Sequence, residues 1–302
     1  MFDILVAGEI NPDLILSGEV EPAFGQIEKL IDNANLTVGS SSVIFACGAA
    51  RLGLKVAFVG KCGNDTFGQF MLDEMQKNNI DTSHVIKVNK GTTGLSVILN
   101  RGVDRAILTF PGLISALQAD EITDDLLGQA RHLHVASYFL QTSLAANLPG
   151  LFSRARSLGL STSLDTNYDP TEQWSGFDAL LAVTNVFLPN EKEACSLTAT
   201  GEAQAAADML QEKVETLAIK MGAKGALSVK AGQRIQVPSL PVKVVDTVGA
   251  GDSFDAGFLY GYLNDWPLEK MLRLGAVCGA LSTQKAGGQA GQPTLSEAQK
   301  YL

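Results

Sequence analysis

The chain has 302 residues, of which 46% are hydrophobic and 18% charged, and its formal net charge is −9 from 23 basic and 32 acidic residues. This composition is typical of a compact globular protein and argues against a disordered or fibrous chain. Because no cluster of five or more basic residues offsets the acidic balance, we expect no nucleic-acid surface. The N-terminal stretch MFDILVAGEI has no Lys or Arg before a short apolar run, so we expect no signal peptide or membrane span and predict a cytoplasmic protein.

Short apolar runs alternate with longer stretches of helical period along the chain, which predicts an α/β fold with a mostly parallel central sheet flanked by helices. In chain order, strands are predicted in DILVAG, KVAFVG, HLHVAS, LSTSLD, NVFLPN, TLAIKMG and GALSVK. Helices are predicted in SSSVIFACGAARLG, in DTFGQFMLDEMQKNN, over residues 142–157, and in two late segments, DSFDAGFLYGYL and PLEKMLRLGAVCGALSTQK. With no linker or repeat in view, we predict one domain over residues 1–302.

Two segments interrupt this alternation, at about residues 9–38 and 84–110. They contain strand-like pieces without an intervening helix: DLIL, LTVG, GLSVILN and RAILTF. Long inserted connections in a compact domain are usually functional, so we predict a small β-sheet that serves as a lid or as a homodimer surface. The alternating apolar residues of GLSVILN fit a dimer contact, and they equally fit a lid packed on its own domain.

The stretch DTVGAGDSFDAGFLYGYL, residues 246–263, places three small residues before an aspartate at the start of an apolar helix. After a strand predicted in VKVV, the backbone amides of Gly249, Ala250 and Gly251 could approach an anion, and the helix dipole would favour its charge. Asp252 could be a helix-capping residue, which stabilises by roughly 0.5–2 kcal/mol. Alternatively, a carboxylate beside an anion site could take a proton from an attacking hydroxyl, which indicates phosphoryl transfer to an alcohol.

The first fourteen residues of this stretch, DTVGAGDSFDAGFL, resemble the C-terminal motif of the ribokinase-like, PfkB-type carbohydrate kinases. The resemblance extends over nearly the whole chain through five further stretches: GEINPDLIL, VGKCGNDTFG, LDTNYDP, PNEKEA and IKMGAKGA. The resemblance implies a ribokinase-like fold with a β lid and ATP-dependent phosphorylation of a sugar hydroxyl. It implies that Asp252 is the catalytic base and that the amides of Gly249, Ala250 and Gly251 form the anion hole. A nucleoside kinase of the same fold and a non-catalytic sugar-binding relative remain alternatives.

Asn190 and Glu193 have the spacing of a helix capping box, which is one interpretation of PNEKEA. The other comes from the resemblance to the N-x-x-E motif of the family, which implies that the two residues hold Mg²⁺ and its water shell. The resemblance also implies ATP binding at Asn190 and at five further positions, Lys220, Gly222, Gly225, Ala276 and Gly279. It further implies a K⁺ site near Asp246 and Val248. A hairpin turn would explain Gly222 and Gly225 equally well.

The predicted acceptor site lies after the first strand, where Asn11 and Asp13 could bind sugar hydroxyls, although Pro12 also fits a plain turn. Resemblance to the family favours Asp13 as a substrate ligand, with Gly39 and Ser40 opposite it. Ser40 stands where a second glycine is frequent in the family, and Ile44 where many sugar kinases have asparagine. We also expect two more substrate-facing residues, Tyr138 and Asn167, although an aromatic residue at a strand end is more often a packing residue.

Overall fold

The computed structural model describes residues 1–101 and 104–302, and within those ranges it contains a central sheet of eight strands and a second sheet of four. Gly102 and Val103, which belong to the second predicted lid segment, lie outside the described residues. The strands are β1 Ile4–Ala7, β2 Pro12–Ser17, β3 Asn33–Val38, β4 Val56–Val59, β5 Lys61–Gly63, β6 Ile86–Val88, β7 Leu95–Arg101, β8 Asp104–Phe110, β9 His132–Val135, β10 Ser161–Leu164, β11 Val186–Phe187, β12 Thr216–Lys220, β13 Ala226–Lys230 and β14 Gln233–Val237.

The central sheet confirms the predicted mostly parallel arrangement. Its strand order is β14-β13-β12-β11-β10-β9-β1-β4, with parallel pairs from β12 to β4 and an antiparallel hairpin, β13 and β14, at one edge. β1 and β9 are buried at every position, including His132 and His134, as expected for parallel strands that helices cover on both faces. Ligands of such sheets bind beyond the carboxyl ends of the strands.

Helices form a layer on each face of the sheet. They are α1 Ser41–Arg51, α2 Thr66–Lys77, α3 Asp124–Leu127, α4 Thr142–Ala145, α5 Leu148–Ser157, α6 Asp178–Leu181, α7 Glu191–Thr198, α8 Ala203–Leu210, α9 Ala250–Leu263, α10 Leu268–Ser282 and α11 Leu295–Ala298. β1 shows how one strand serves both layers. Ile4 and Val6 join the core beneath α1, α2, α9 and α10, whereas Leu5 and Ala7 join the core beneath α3, α5, α7 and α8.

One predicted helix was wrong in its extent. Residues 142–157 form two helices, α4 and α5, instead of one. Pro149 lies in the first turn of α5, where its missing amide is harmless, but inside a continuous helix the same residue would remove a backbone hydrogen bond. The helix therefore restarts just before the proline.

The second sheet has the order β3-β2-β7-β8, and its strands lie within the two segments predicted to form a lid. β2 pairs in parallel with β7, although about eighty residues separate them in sequence, and β3 and β8 extend the sheet in antiparallel pairing. Asp13 pairs with Thr37 on one side and Ser96 on the other, so β2 carries Asp13 into the middle of this small sheet. Among the helices in the described part of the chain, none is long and apolar enough to cross a bilayer.

Candidate active site

The amide of Ala250, predicted to share in the anion hole, donates to the carbonyl of Thr247 at 3.3 Å, and the residues before the glycine turn do not form the predicted strand. Gly249 caps the helix in the left-handed region (φ 71°), and a Cβ there would lie 2.6 Å from the Cα of Gly288. Residues 242–245 form irregular chain rather than a strand, because the amides of Val245 and Asp246 donate to the carbonyl of Thr283 at the end of α10. In the described residues, the Gly249 and Gly251 amides have no carbonyl acceptor, so they are available to an anion.

Asp252 lies in the first turn of α9 and is 7% exposed. Its carboxyl group accepts a hydrogen bond from the hydroxyl of Ser41, the first residue of α1. Burial, and next the negative charge of Asp165, raise the pKa of Asp252 to about 8, against the lowering effects of Ser41 and the Lys220 ammonium. A buried carboxyl with a pKa near neutrality is suited to general base catalysis.

A buried ion cluster lies under the glycine turn. The Lys220 ammonium, at the end of β12, is 2.8 Å from Asp165 Oδ2 and 3.1 Å from Asp255 Oδ2. The carboxyl oxygens of Asp165, Asp252 and Asp255 lie within 4.8 Å of one another. Although burial opposes charge on Lys220, these acids raise its pKa above the usual value, and the Lys220 charge in turn lowers the pKa of Asp165 against the effect of burial.

Asp165 was missed by sequence reasoning, although it lies in the quoted stretch LDTNYDP. Asp165 could have been found from its position directly after a buried strand, because a charged residue there must find a partner at the sheet edge. Its partner, Lys220, is the last residue of a strand two positions away in the sheet, and no spacing rule connects the two residues in sequence.

A chain of hydrogen bonds leads from Asp252 toward β1. Ser41 Oγ accepts from Asn167 Nδ2 at 3.0 Å, and Asn167 Oδ1 accepts from the backbone amide of Ser137 at 2.8 Å. Ser137 Oγ then donates to Glu9 Oε1 at 3.0 Å. The structure thus links Asn167 to Asp252 through Ser41, with Asn167 in the left-handed backbone conformation (φ 54°) that asparagine tolerates.

Glu9 anchors the start of α1 and was also missed by sequence reasoning. It is 3% exposed and accepts hydrogen bonds from the Ser42 amide, from the Ser42 hydroxyl at 2.5 Å and from Ser137. Ser40 Oγ lies 2.7 Å from the Glu9 carbonyl oxygen and caps α1 through the Val43 amide. Ser40, predicted to contact substrate, therefore has a structural role here in orienting the helix that carries Ser41.

Asp13 and Gly39 lie opposite each other, as the sequence predicts. A Cβ on Gly39 would lie 2.3 Å from Asp13 Oδ1, so this position accommodates no side chain. Asp13 is 7% exposed, and burial raises its pKa to about 7, while the hydroxyl of Ser96 and the charge of Arg105 oppose the shift. Asn11 is buried beside it and donates to Ser96 Oγ at 3.4 Å.

Asn190 and Glu193 form the capping box that was one of the two interpretations of PNEKEA. Asn190 Oδ1 accepts from the Glu193 amide at 2.9 Å, and Glu193 Oε2 accepts from the Asn190 amide at 2.8 Å. Burial, and next the charge of Asp165, raise the pKa of Glu193 to about 7. Each carboxylate oxygen keeps a second lone pair beyond the cap, so this donor set also fits the waters around a Mg²⁺ ion.

A cavity of about 580 Å³ lies beside the glycine turn. It is lined by five of the positions expected to bind ATP, Lys220, Gly222, Gly225, Ala276 and Gly279, and by two residues of the glycine turn, Ala250 and Gly251. Unforeseen lining residues are mainly apolar: Leu240, Pro241, Val242, Val244, Phe254 and Ala280. Asn190 does not line the cavity, but its backbone pairs with Lys220 at the cavity edge. The size and apolar lining are typical of a pocket for a small ligand with a flat ring.

Asp246 ties the segment before the turn to the glycine loop at residues 286–291. Its Oδ1 accepts from the Val248 amide at 3.0 Å and its Oδ2 from the Gly287 amide at 2.9 Å. Tyr138, by contrast, is half-buried in an aromatic cluster with Phe139 and Phe177, at centroid distances of 5.2 and 5.0 Å. These contacts give Tyr138 a packing role, and its contact with substrate stays a prediction.

Asp252 directly follows Ala250 and Gly251, which line the apolar cavity, and its own carboxyl is bonded to the hydroxyl of Ser41. Ser41 in turn accepts from the amide of Asn167, so apolar and polar surroundings meet at Asp252. An anion-binding turn, a tuned carboxyl and a polar acceptor side are the parts of a phosphotransferase that acts on an alcohol.

Comparison with known proteins identifies the family. Residues 2–295 match the model of the pfkB family carbohydrate kinases, and the chain belongs to this family of sugar kinases. An uncharacterised sugar kinase of Archaeoglobus fulgidus is 33% identical over 82% of this chain and 98% of its own. A ribokinase of Haemophilus influenzae is 28% identical over 99% and 98%, and a 5-dehydro-2-deoxygluconokinase of Geobacillus kaustophilus is 28% identical over 88% and 84%.

Among solved structures, an E. coli protein assigned as a ribokinase II, in complex with ATP and Mg²⁺, superimposes with a TM-score of 0.87. It is 21% identical and the match covers 100% of this chain and 99% of that one, which shows the ribokinase fold. The resemblance stated from the sequence is confirmed, and with it the assignment of a phosphotransferase that acts on a sugar hydroxyl.

Proposed function

We propose that the protein transfers the γ-phosphoryl group of ATP to a hydroxyl of a monosaccharide or a related small polyol. The observation that carries this proposal is that the buried carboxyl of Asp252 directly follows Gly251, which lines the nucleotide-sized cavity, and is bonded to Ser41. The E. coli neighbour, which was solved with ATP and Mg²⁺, supports the choice of donor.

The cavity is suited to hold the nucleotide with its phosphates toward α9. The apolar lining contributed by Leu240, Val242 and Ala276 would cover the base, while the Gly249 and Gly251 amides would stabilise charge on the transferring group. The positive end of the α9 dipole adds to this stabilisation. Asn190 and Glu193 would hold the water shell of a Mg²⁺ ion, which neutralises phosphate charge when bound.

The acceptor hydroxyl would lie against Asp252, which takes its proton as the oxygen attacks phosphorus. Asn11, Asp13 and Asn167 would orient the rest of the acceptor through its hydroxyl groups. The four-stranded sheet, which supplies Asp13, would close over the acceptor as a lid and exclude water from the phosphoryl group.

We also propose a monovalent cation near Asp246 and Val248, as the family resemblance implies. The observation in its favour is that Asp246 already joins this segment to the glycine loop at Gly287. A cation held there would fix the turn that carries Gly249. Exchange of K⁺ for tetramethylammonium should lower the rate of ADP release several-fold, and equal rates in both salts would refute the site.

The four-stranded sheet is further proposed as a homodimer surface. Its face opposite Asp13 carries a row of apolar residues that the strand register brings together: Leu36, Leu14, Val97 and Leu108. Leu108 is 61% exposed. An apolar row of this kind on a sheet is a common protein contact surface.

The test of the proposed function is ADP release from MgATP with a panel of sugars, polyols and nucleosides. Asp252→Asn should lower turnover by about 10²–10⁴-fold, because general base catalysis contributes this much, and should leave stabilisation by ATP intact. Asp265→Asn, the same change at the exposed far end of α9, is the control and should be neutral. Near-normal turnover of the Asp252 variant would remove that residue from its role, and turnover with nucleosides alone would favour a nucleoside kinase.

A further inference from the structure

The two named relatives differ in the chemical class of the acceptor that their names imply. A ribokinase is named for an uncharged sugar, and a 5-dehydro-2-deoxygluconokinase for a sugar acid, yet each is 28% identical to this chain. Sequence similarity therefore does not choose between an uncharged and an anionic acceptor. The charges near Asp252, on the side where the acceptor would bind, can distinguish between these two classes.

Three buried acids surround that side. Glu9, Asp13 and Asp252 are 3%, 7% and 7% exposed, and the negative charge of Glu9 acts to raise the pKa of both aspartates. Charges interact strongly at such sites because little water screens them. An anionic group on the acceptor would add a negative charge beside carboxyl groups whose ionisation is already opposed by burial.

Two cations act on the aspartates: the buried Lys220 acts on Asp252, and the exposed Arg105 acts on Asp13 from farther along the same face of the lid sheet. The Lys220 ammonium lies within 3.2 Å of both Asp165 and Asp255, so its charge is already balanced. Arg105 is exposed on β8 and pairs with Asn100, which pairs with Ser17. Ser17 is four residues along β2 from Asp13, which corresponds to about 13 Å of extended strand.

The lid face around Asp13 is instead lined by neutral polar groups. Its register places Thr37, Ser96 and Thr109 in one row with Asp13, and Ser96 Oγ is 3.2 Å from Thr109 Oγ1. Hydroxyl groups can donate and accept, and the buried carboxylates accept. This set of groups matches a ligand rich in hydroxyls, each of which can give a proton to an acid and receive one from a neighbour.

We propose that the acceptor is an uncharged polyhydroxy compound and that sugars bearing a carboxylate or a phosphate are discriminated against. The inference rests on the proposed kinase function and specifies its substrate class. Uncharged hydroxyls can bond to Asp13 and Asp252 without adding charge. An anionic group beside them would further oppose the ionisation of Asp252, which the proposed reaction needs.

The experiment compares acceptors of similar size on the intact enzyme with MgATP. Ribose, fructose and glucose represent the uncharged class, and gluconate, 5-dehydro-2-deoxygluconate and fructose 6-phosphate the anionic class. The best uncharged acceptor should exceed the best anionic one in kcat/KM by at least about 100-fold, since unpaired like charges in a poorly solvated site are strongly rejected. Thermal stabilisation by each acceptor alone provides a second readout.

The outcomes separate this inference from the proposed function. Thermal stabilisation by uncharged sugars without ADP release would refute the proposed kinase activity and support the proposed uncharged class of the ligand. A kcat/KM that is higher with any anionic sugar than with the best uncharged one would support the kinase activity and overturn the uncharged class of the acceptor. MgATP binding with no response to any uncharged sugar in either readout would overturn the class as well.

Arg105 is tested separately, because it is the cation that a long anionic acceptor could reach. Arg105→Gln should change kcat/KM for the best uncharged acceptor less than about threefold, as expected for an exposed residue remote from the chemistry. Arg101→Gln is the matched control. Arg101 is the last residue of β7, pairs with Glu21 and lies on the opposite face of the same sheet. Selective loss of anionic-sugar turnover in the Arg105 variant, relative to this control, would show that Arg105 binds an acid and would overturn the inference.

Discussion

At the scale of single residues, Asp252 is the proposed catalytic base, and its ionisation also lowers the stability of the folded protein. Its pKa of about 8 in the folded protein exceeds the usual value of 3.8 because the carboxyl is buried near other acids. A carboxyl whose pKa is raised by folding binds a proton more tightly in the folded state, so its ionisation opposes folding as pH rises. Active sites commonly retain such groups at the expense of stability.

Asp252→Asn should therefore be more stable than the wild type by about 1–3 kcal/mol at pH 8, since one pKa unit corresponds to about 1.4 kcal/mol and neighbours relax. The difference should be near zero at pH 4, grow between pH 4 and 8, and stay constant above. Urea unfolding of both proteins across this range measures it. A difference that is independent of pH would show that Asp252 has an ordinary pKa.

The same residue should shape the pH dependence of the free enzyme. Because Asp252 must be ionised to accept a proton, kcat/KM should rise with pH and level off above about 8, the pKa of the carboxyl in the free protein. Initial rates with MgATP and acceptor both well below their KM values, between pH 5.5 and 9.5, provide the profile of the free enzyme. A flat profile through pH 8 would contradict the assignment of Asp252 as the base.

Gly39 gives a residue-scale prediction about the acceptor. In Gly39→Ala the new methyl group would overlap Asp13 Oδ1 and force the Asp13 carboxyl to move. The acceptor KM should rise by about tenfold or more, because a displaced ligand loses a charge-assisted hydrogen bond, and the KM for ATP should hardly change. Gly201→Ala, at an exposed glycine where a Cβ meets no atom and the backbone φ is not positive, tests for a general effect of the substitution.

At the scale of elements, Lys220 connects three of them: β12, which carries it, β10, which leads to Asp165, and α9, which carries Asp255. A buried charge is tolerated only when it is paired, so this cluster sets how α9 lies on the sheet. The position of the glycine turn above the strands depends on it.

Lys220→Met should destabilise the protein by about 3–5 kcal/mol, because the variant leaves buried acids without their cation. Adding Asp165→Asn should recover part of the loss. Lys213→Met breaks an exposed pair with Asp178 and should cost at most about 1 kcal/mol. Denaturant unfolding of the four proteins measures these differences, and an equal effect of the two lysine substitutions would show that the cluster has no structural role.

At the scale of the whole molecule, the site is assembled from the sheet edge and the four-stranded sheet. Asp13 comes from β2, and its neighbour Ser96 comes from β7, so the proposed lid is complete only when both insertions pair. The apolar row around Leu108 lies on the other face of these strands. The proposed dimer would therefore brace the strands that carry the acceptor ligands.

Leu108→Glu should shift the protein from dimer to monomer, since a charge in an apolar contact is poorly tolerated. Sedimentation velocity at micromolar concentration distinguishes the two states. Met209→Glu, at a 47% exposed position on α8, should leave the oligomeric state unchanged. A wild-type protein that sediments as a monomer would refute the proposed surface.

Local sequence determined the elements and the turn. The buried runs, the N-cap at Ser40 and the glycine at 249 are consequences of short-range chemistry, so the sheet, α1 and the anion-binding turn could be predicted from the printed residues. Prediction from the local pattern failed where long-range contacts decide the structure. VKVV has the pattern of a strand, but its neighbouring amides bind Thr283 instead of a sheet edge.

Only the tertiary structure decided which charges meet. Lys220, Asp165 and Asp255 are far apart in sequence, and Glu9 reaches Ser137 across 128 residues, so their pairing depends on strand order and burial rather than on spacing. Sequence chemistry placed a carboxyl at the start of α9. The surrounding fold removed water from that carboxyl and brought other acids near it, and for this reason its raised pKa could be obtained only from the folded chain.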